Sequence, residues 1–97
     1  MTAEARKKIP LYSGVIAYFP DALMEVAKVS QVGNDQHNKG EALHWAREKS
    51  TDQMDCVLRH ITDDARGEIF DDDGMRHKAK AAWRILAQLQ LDIEKDE

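Results

Sequence analysis

The sequence predicts an all-α domain built from three main helices. Apolar residues recur at helical spacing in three separate blocks, and no segment shows the alternation of apolar and polar residues that is typical of a strand. The 97 residues, of which 42% are hydrophobic and 33% charged, fit one compact globular domain over residues 1–97. A domain of this size buries a thin core, so we expect it to oligomerise through its helix faces.

The first stretch of the chain carries no strong helix signal. Residues 1–9 are polar and are expected to be loosely ordered. Residues 9–15 are predicted to be extended, because Pro10 disfavours a helical conformation in the residue before it and Gly14 breaks helices.

The first main helix is predicted to begin at Pro20. Proline is favoured at the first helical position, and the carboxylate of Asp21 stabilises the positive end of the helix dipole. The helix is expected to stop at Gly33 and Asn34, because both residues tolerate a left-handed backbone. One face of this helix carries Leu23, Val26, Ala27 and Ser30.

The second main helix is predicted to begin at Ser50. The hydroxyl of Ser50 and the amide of Gln53 fit a capping box, which satisfies backbone N–H groups at a helix start. The helix is expected to fade over residues 64–67, and a short extra helical turn is expected before it, near residues 42–48. Its apolar face carries Met54, Val57, Leu58 and Ile61.

The last helix is the clearest element of the sequence. It follows an acidic turn over residues 71–74 and is predicted to run over residues 75–93. At 1.5 Å per residue it would be roughly 28 Å long. Its apolar stripe, which Ala81 and Ile85 widen, consists of Met75, Ala79, Ala82, Leu86, Leu89 and Ile93.

Composition excludes several classes of function. A net charge of -4 argues against a broad nucleic-acid-binding surface, which needs a basic stripe. The single cysteine, Cys56, cannot form a disulfide within the chain and is expected to be a small core residue in a reducing compartment. No apolar run approaches the ~18 residues that span a membrane. We therefore expect a cytoplasmic protein.

The connecting segment over residues 33–50 concentrates groups that bind nucleotides. Amides and imidazoles contact base edges, an indole stacks on a base, and cations neutralise phosphates. Within this chemistry, Tyr12 is expected to stack on a base and Lys28 to meet a phosphate. Other roles stay open: Asn34 as a helix cap, Trp45 as a core residue and Lys28 as a solvated side chain. The complete predicted ligand-binding set is Tyr12, Lys28, Asn34, His37, Trp45, Arg47 and Lys49.

Three carboxylates are the candidates for a catalytic Mg²⁺ site across two helices: Glu25, Asp52 and Asp55. Mg²⁺ prefers oxygen ligands, and residues three apart lie on neighbouring positions of a helix. The alternative role of Asp52 is to stabilise the helix dipole. His60 and His77 are expected to meet as hydrogen-bonded structural histidines, because their spacing matches no zinc pattern.

Several blocks of the chain, taken in order, resemble a known family. They are residues 19–29, Gly33-Asn34, Arg59-His60 and residues 71–83, the last of which contains Asp71, Asp73, Gly74 and His77. This order and spacing resembles the phage-associated family described as the N-terminal domain of dATP/dGTP diphosphohydrolases. The resemblance runs over about residues 9–91. The family is usually grouped with small all-α nucleotide pyrophosphohydrolases of the MazG type.

The resemblance implies an enzyme that uses four carboxylates to hold Mg²⁺ and to activate water for attack on a triphosphate. By that resemblance, Asp52 and Asp55 would form the second pair of carboxylates. The first pair contains only Glu25, with Ala22 three residues before it and Lys28 three residues after it. Because a lysine repels a metal ion, the incomplete set favours binding without turnover.

The chain is also similar, in size, helix content and available residues, to the phage anti-CBASS sponges, which are short helical oligomers that sequester cyclic oligonucleotide signals of host immunity. We therefore expect a phage-type protein that binds a purine nucleotide or cyclic oligonucleotide without turnover and without a cofactor, in pockets between protomers. The alternative is a Mg²⁺-dependent dATP/dGTP pyrophosphohydrolase. A helical protein-interaction module is the third hypothesis.

Overall fold

A computed structural model of the chain describes residues 1–96 and confirms the all-α class. Within these residues there is no strand, and the one β-type contact is an isolated antiparallel bridge between Phe70 and Arg76. A π-helical turn, Tyr12–Ile16, lies between the first two α-helices. The α-helices are α1 (Ala3–Lys7), α2 (Pro20–His37), α3 (Gln53–Ala65) and α4 (His77–Asp96).

Helix α4 is the centre of the molecule, because α3 and α2 both pack against it. The part of the chain before α2 lies outside this packing, and no residue before Asn34 is buried. The molecule is therefore elongated, with extents of 45 × 28 × 27 Å.

The N-terminal stretch is helical rather than extended. Residues 1–9 contain α1, which the hydroxyl of Thr2 caps by accepting a hydrogen bond from the Ala5 N–H at 3.1 Å. The prediction of an extended segment over residues 9–15 is wrong. Pro10 tolerates the helical turn that follows because it lies at its start, where its missing N–H is not needed.

The first main helix continues past the predicted stop. α2 includes Gly33 and Asn34 and ends at His37, and Asn38 is its C-cap residue. Gly33 keeps a helical backbone, whereas the glycines with positive φ are Gly40, Gly67 and Gly74. Asn34 is 4% exposed, and its burial within the helix replaces the capping role that the sequence suggested.

The capping box predicted for α3 does not form. The helix begins at Gln53, three residues later than predicted, and its cap residue Asp52 makes no side-chain cap hydrogen bond. The Ser50 hydroxyl and the Gln53 side-chain oxygen instead accept hydrogen bonds from Arg84 Nη1, each at 3.1 Å. Residues 39–52 contain no helix, so the short helical turn expected near residues 42–48 is absent.

The core consists of small and medium side chains. Its buried hydrophobic residues are Cys56, Val57, Met75, Ala79, Ala81 and Ala87. The predicted apolar faces are only partly covered, because six of the larger residues on them are 46–59% exposed. These exposed residues are Met54, Leu58 and Ile61 on α3 and Leu86, Leu89 and Ile93 on α4. Helices that meet through alanines approach closely, which leaves the flanking large side chains in solvent.

Over residues 1–96, no helix has both the length and the apolar character that crossing a membrane requires.

Candidate functional site

A cavity of about 620 Å³ lies between the C-terminal half of α2, the segment over residues 38–50 and the first half of α4. This volume falls within the roughly 300–1,000 Å³ that is usual for small-molecule sites. Residues of one chain line this cavity, and the expectation that pockets lie between protomers stays a prediction. The long connection between α2 and α3 supplies the missing wall, because residues 43–46 lie across the gap between the helices.

Two tryptophans form an aromatic wall of the cavity. The rings of Trp45 and Trp83 meet edge to face, with centroids 6.0 Å apart. Trp83 is oriented by a hydrogen bond from its Nε1–H to the Ser30 hydroxyl at 2.7 Å, which also joins α4 to α2. Trp45 is therefore neither isolated in solvent nor fully buried, and it lines the cavity while it packs on Trp83.

Arg47 holds the connecting segment onto α4. Its guanidinium lies 4.4 Å from the Trp45 ring centroid, and its Nη1 donates to both carboxylate oxygens of Glu94 at 2.6 and 2.7 Å. The hydrogen bonds from Arg47, and next that from Gln90, lower the pKa of Glu94. Arg47, which was predicted to bind a phosphate, is thus paired with the Glu94 carboxylate and does not line the cavity.

Arg84 is a half-buried cation at the cavity that has no carboxylate partner within residues 1–96. Its guanidinium donates to two neutral oxygens, those of Ser50 and Gln53, and forms no salt bridge within residues 1–96. Lys49, which is exposed, lines the same cavity. A half-buried cation that lacks a carboxylate partner attracts an anion, so this end of the cavity is suited to a phosphate.

Asn34, a residue that lines the cavity, has an unsatisfied hydrogen-bond acceptor in its side chain. Its Nδ2 donates to the Glu41 carbonyl oxygen at 3.0 Å, which joins α2 to the connecting segment. Its Oδ1 is buried and has no hydrogen-bond donor. Leaving such a buried polar atom unpaired costs about 1–3 kcal/mol, so a ligand that donates a hydrogen bond there restores that free energy.

An ionic cluster that includes Lys80 and Asp73 also lines the cavity. The Lys80 ammonium lies 2.7 Å from one carboxylate oxygen of Asp71 and 2.7 Å from one of Asp73. Both acids belong to the turn before α4, which Gly74 closes with a φ of 81°. The cluster fixes the start of α4 relative to the cavity.

The pKa values of this cluster favour the charged forms. The hydrogen bond from Lys80 is the largest cause that lowers the pKa of Asp71. Burial acts to raise the pKa of Asp73, but the hydrogen bonds from Lys80 and the Met75 N–H outweigh it, and the pKa is lowered. Burial also opposes the charge of Lys80, and its two carboxylate partners nevertheless raise its pKa.

His60 and His77 meet beside this cluster, as the sequence predicted. Their Nδ1 atoms are 2.9 Å apart, between α3 and the first residue of α4, and His77 is 3% exposed. One Nδ1 therefore carries a hydrogen and donates to the other. Burial lowers the pKa of His60, and the proximity of His77 lowers it further. His60 also lines the cavity.

The structure brings together four of the seven predicted ligand-binding residues. Asn34, His37, Trp45 and Lys49 all line the cavity. Tyr12 lies in the π-helical turn, is 72% exposed and does not line the cavity. Lys28 is exposed on α2, where its ammonium lies 3.1 Å from the Glu25 carboxylate.

The three carboxylates that were candidates for a Mg²⁺ site lie apart from the cavity. Glu25 pairs with Lys28 on α2, Asp52 precedes α3, and Asp55 lies at a shallow depression on the exposed side of α3. Within residues 1–96, the groups of histidines and carboxylates close enough to share one metal ion include none of these three.

Sequence reasoning missed Lys80, Trp83 and Arg84 as cavity residues. Each lies on α4, and only the docking of α4 against α2 and the connecting segment turns these side chains into the cavity. The one available signal was the pair Trp83-Arg84, an indole and a cation inside an otherwise apolar stripe.

Comparison with known proteins identifies a family. The family model described as dATP/dGTP diphosphohydrolase, N-terminal, matches residues 2–97. No curated protein and no solved structure matches the chain.

Proposed function

The chain belongs to the dATP/dGTP diphosphohydrolase N-terminal family, and from this premise we propose that it binds a purine deoxynucleoside triphosphate in the cavity between α2, residues 38–50 and α4. The cavity has the volume of a small-molecule site, an aromatic wall and an end where cations gather. A nucleoside triphosphate requires a cavity of this size, an aromatic surface against its base and cations beside its phosphates.

The unpaired Oδ1 of Asn34 is the observation that carries this proposal. It is a buried acceptor at a cavity wall, and the amino groups of adenine and guanine are hydrogen-bond donors. A purine whose amino group reaches Asn34 satisfies the one buried side-chain acceptor that lacks a donor within residues 1–96. The base would then lie beside the Trp45 and Trp83 rings, against which stacking contributes about 1–3 kcal/mol.

The phosphates would lie at Arg84 and Lys49. The hydrogen-bond partners of Arg84 are neutral. A phosphate can therefore pair with the Arg84 guanidinium without first displacing a carboxylate. By contrast, Lys80 and Arg47 already hold carboxylates and are less available.

Two finer functions remain proposals. The family description favours hydrolysis of dATP or dGTP, for which the sequence suggested Mg²⁺ with Glu25, Asp52 and Asp55. Sequestration of a cyclic oligonucleotide without turnover is the second, and it needs the same aromatic and cationic groups. The two functions differ in their products, so one set of measurements separates them.

The first experiment is isothermal titration calorimetry in EDTA with dATP, dGTP, dCTP, dTTP and cyclic di- and trinucleotides. We expect the purine triphosphates to bind, and Arg84→Gln to weaken binding by about 10–100-fold because it removes a charge-assisted hydrogen bond. Lys49→Gln should weaken binding less. Arg66→Gln is the matched control, since Arg66 is exposed and outside the cavity.

Absence of binding by every nucleotide, or equal affinity for the Arg84→Gln and Arg66→Gln variants, would overturn the proposal. Chromatography of the recovered nucleotide after incubation with Mg²⁺ then distinguishes the finer functions. Release of a monophosphate from dATP or dGTP establishes hydrolysis, whereas a cyclic nucleotide that is bound and returned intact establishes sequestration.

We also propose that the chain self-associates through the exposed apolar faces of α3 and α4. Large apolar side chains on both faces are 46–59% exposed, and the buried hydrophobic residues of one chain are few and mostly small. A second copy presents the same apolar chemistry, which is how a symmetric dimer covers such a surface.

A further inference from the structure

We propose that His60, Asp71 and His77 form a binding site for a divalent transition-metal ion at the edge of the cavity. One ring nitrogen from each histidine and one carboxylate oxygen of Asp71 lie within 4.8 Å of one another. Two imidazoles and one carboxylate, with the remaining positions open, are a donor set that first-row divalent metals accept.

The distance between the two histidines fits coordination of one ion. Metal–imidazole bonds are about 2.0–2.1 Å long. The two Nδ1 atoms, 2.9 Å apart, would therefore both reach an ion with an angle of about 90° between the bonds. Two ligands of one such ion can be at most about 4.2 Å apart. The Asp71 oxygen lies within 4.8 Å of both ring nitrogens, so a small movement of its side chain brings it within reach of the ion.

The three donors come from three different parts of the fold. His60 projects from α3, His77 begins α4, and Asp71 belongs to the turn between them. That turn is fixed by the Asp71 N–H, which donates to the Met75 carbonyl oxygen at 2.7 Å, and by the His77 N–H, which donates to the Ile69 carbonyl oxygen at 3.0 Å. A site built from fixed elements loses little conformational freedom when it binds an ion.

Lys80 does not cancel the charge of the two carboxylates beside it. The ammonium of Lys80 lies between Asp71 and Asp73, so this cluster of three carries one net negative charge, while the positive charge of Arg84 also acts on His60. Lys80 contacts one oxygen of Asp71, and a carboxylate has about four lone-pair sites, so Asp71 retains capacity for a metal. Lys80 still repels a cation, and it therefore limits the affinity of the site.

Two further carboxylates lie close to His77. Asp63 and Glu68 offer oxygens within 4.8 Å of one another and of a ring nitrogen of His77. A metal-bound imidazole commonly donates its second N–H to a carboxylate, which fixes the ring and raises its basicity. Two carboxylates thus lie near His77, in addition to the His60 ring at its Nδ1.

The donor chemistry selects the class of ion. Nitrogen ligands favour Mn²⁺, Co²⁺ and Zn²⁺ over Mg²⁺, which prefers oxygen ligands. The site is distinct from the Mg²⁺ site that the sequence suggested, because it contains none of Glu25, Asp52 and Asp55. His60 also lines the cavity, so an ion held there would face a bound ligand.

The test is calorimetric titration of the nucleotide-free protein with Co²⁺, Mn²⁺, Zn²⁺ and Mg²⁺ as their chlorides. We expect one transition-metal ion to bind per chain, with Mg²⁺ much weaker, and Co²⁺ to give a visible absorption spectrum. His60→Gln and Asp71→Asn should each weaken binding at least about tenfold. His44→Gln is the matched control, since His44 is exposed and belongs to neither metal-competent group.

A second measurement does not depend on any variant folding. Zinc added to the wild-type protein should shift the ring ¹⁵N signals of two of the four histidines, His60 and His77. Shifts at His37 and His44 instead, no binding of any transition metal, or unchanged affinity in the His60→Gln and Asp71→Asn variants would overturn the site. Because these titrations contain no nucleotide and the nucleotide titrations contain EDTA, each proposal fails independently of the other.

Discussion

The side chains of Asn34 on α2 and Arg47 in the connecting segment show how one residue acquires a role from its neighbours. From residue type alone, Asn34 and Arg47 were both predicted to bind the ligand. Asn34 is held at the cavity by the Glu41 carbonyl oxygen, with one acceptor left unpaired. Arg47 is held away from the cavity by Glu94. The difference lies in which partner each side chain finds, and residue type does not specify a partner.

The Arg47–Glu94 pair makes stability depend on pH. The pKa of Glu94 is lower in the folded chain, so its contribution to stability is present above the ordinary pKa of a glutamate, about 4.3, and is lost as the pH falls through the folded pKa. We expect Glu94→Gln to lose less stability than the wild type when urea unfolding is compared at pH 6 and pH 3.

The matched control for that prediction is Glu48→Gln, because Glu48 is exposed and forms no salt bridge within residues 1–96. Its acid sensitivity should equal that of the wild type. An unchanged pH dependence in the Glu94→Gln variant would show that the Arg47 contact does not persist in solution.

At the scale of elements, α2 shows where local signals fail. Gly33 and Asn34 are good residues for ending a helix, yet α2 continues to His37. Burial of Asn34 and packing of α2 on α4 outweigh the weak preference of these residues for a turn. The start of α3 shows the same effect, since Arg84 occupies the two side chains of the expected capping box.

Gly33 allows a direct test of the longer helix. It has a helical backbone, and a Cβ added there meets no atom within 4 Å. We therefore expect Gly33→Ala to raise the free energy of unfolding by about 0.5–1 kcal/mol, the usual cost of glycine inside a helix. Urea unfolding followed by circular dichroism measures this change.

Gly67→Ala is the control for this substitution. A Cβ there also meets no atom, but the φ of 95° is unfavourable for alanine, so the variant should lose about 1 kcal/mol or more. If Gly33→Ala destabilised the chain as Gly67→Ala does, α2 would end at Gly33, as the sequence alone suggested.

At the scale of the whole molecule, the exposed apolar surface requires an explanation. Leu86, Leu89 and Ile93 on α4 are each about half exposed, as is Leu58 on α3. Complete burial of a large apolar side chain contributes about 1.5–3 kcal/mol. Several such residues from each of two copies therefore offset an association cost of about 4–15 kcal/mol.

We accordingly expect sedimentation equilibrium to show a concentration-dependent dimer or larger oligomer, and Leu89→Lys to shift the protein toward monomer. Gln88→Lys is the control, because it adds the same charge at the neighbouring residue of α4, which lies off the predicted apolar stripe. A wild-type protein that stays monomeric at the highest concentration tested would contradict self-association.

The sequence by itself determined the all-α class, the approximate positions of the three main helices and the family. These follow from periodicity, from turn and proline signals and from the order of motifs, all of which are local or nearly local along the chain. It also supplied Asn34, His37, Trp45 and Lys49, because their segment is unusually rich in groups that bind ligands.

Only the tertiary structure decided that one chain forms a cavity, that Arg84 and Lys80 line it, and that a carboxylate oxygen of Asp71 lies within 4.8 Å of a ring nitrogen of each of the two histidines. These features depend on the rotation of α4 about its axis and on where the long connection between α2 and α3 lies. Rotation and loop path are set by which side chains pack and pair across elements, and no spacing along the chain encodes them directly.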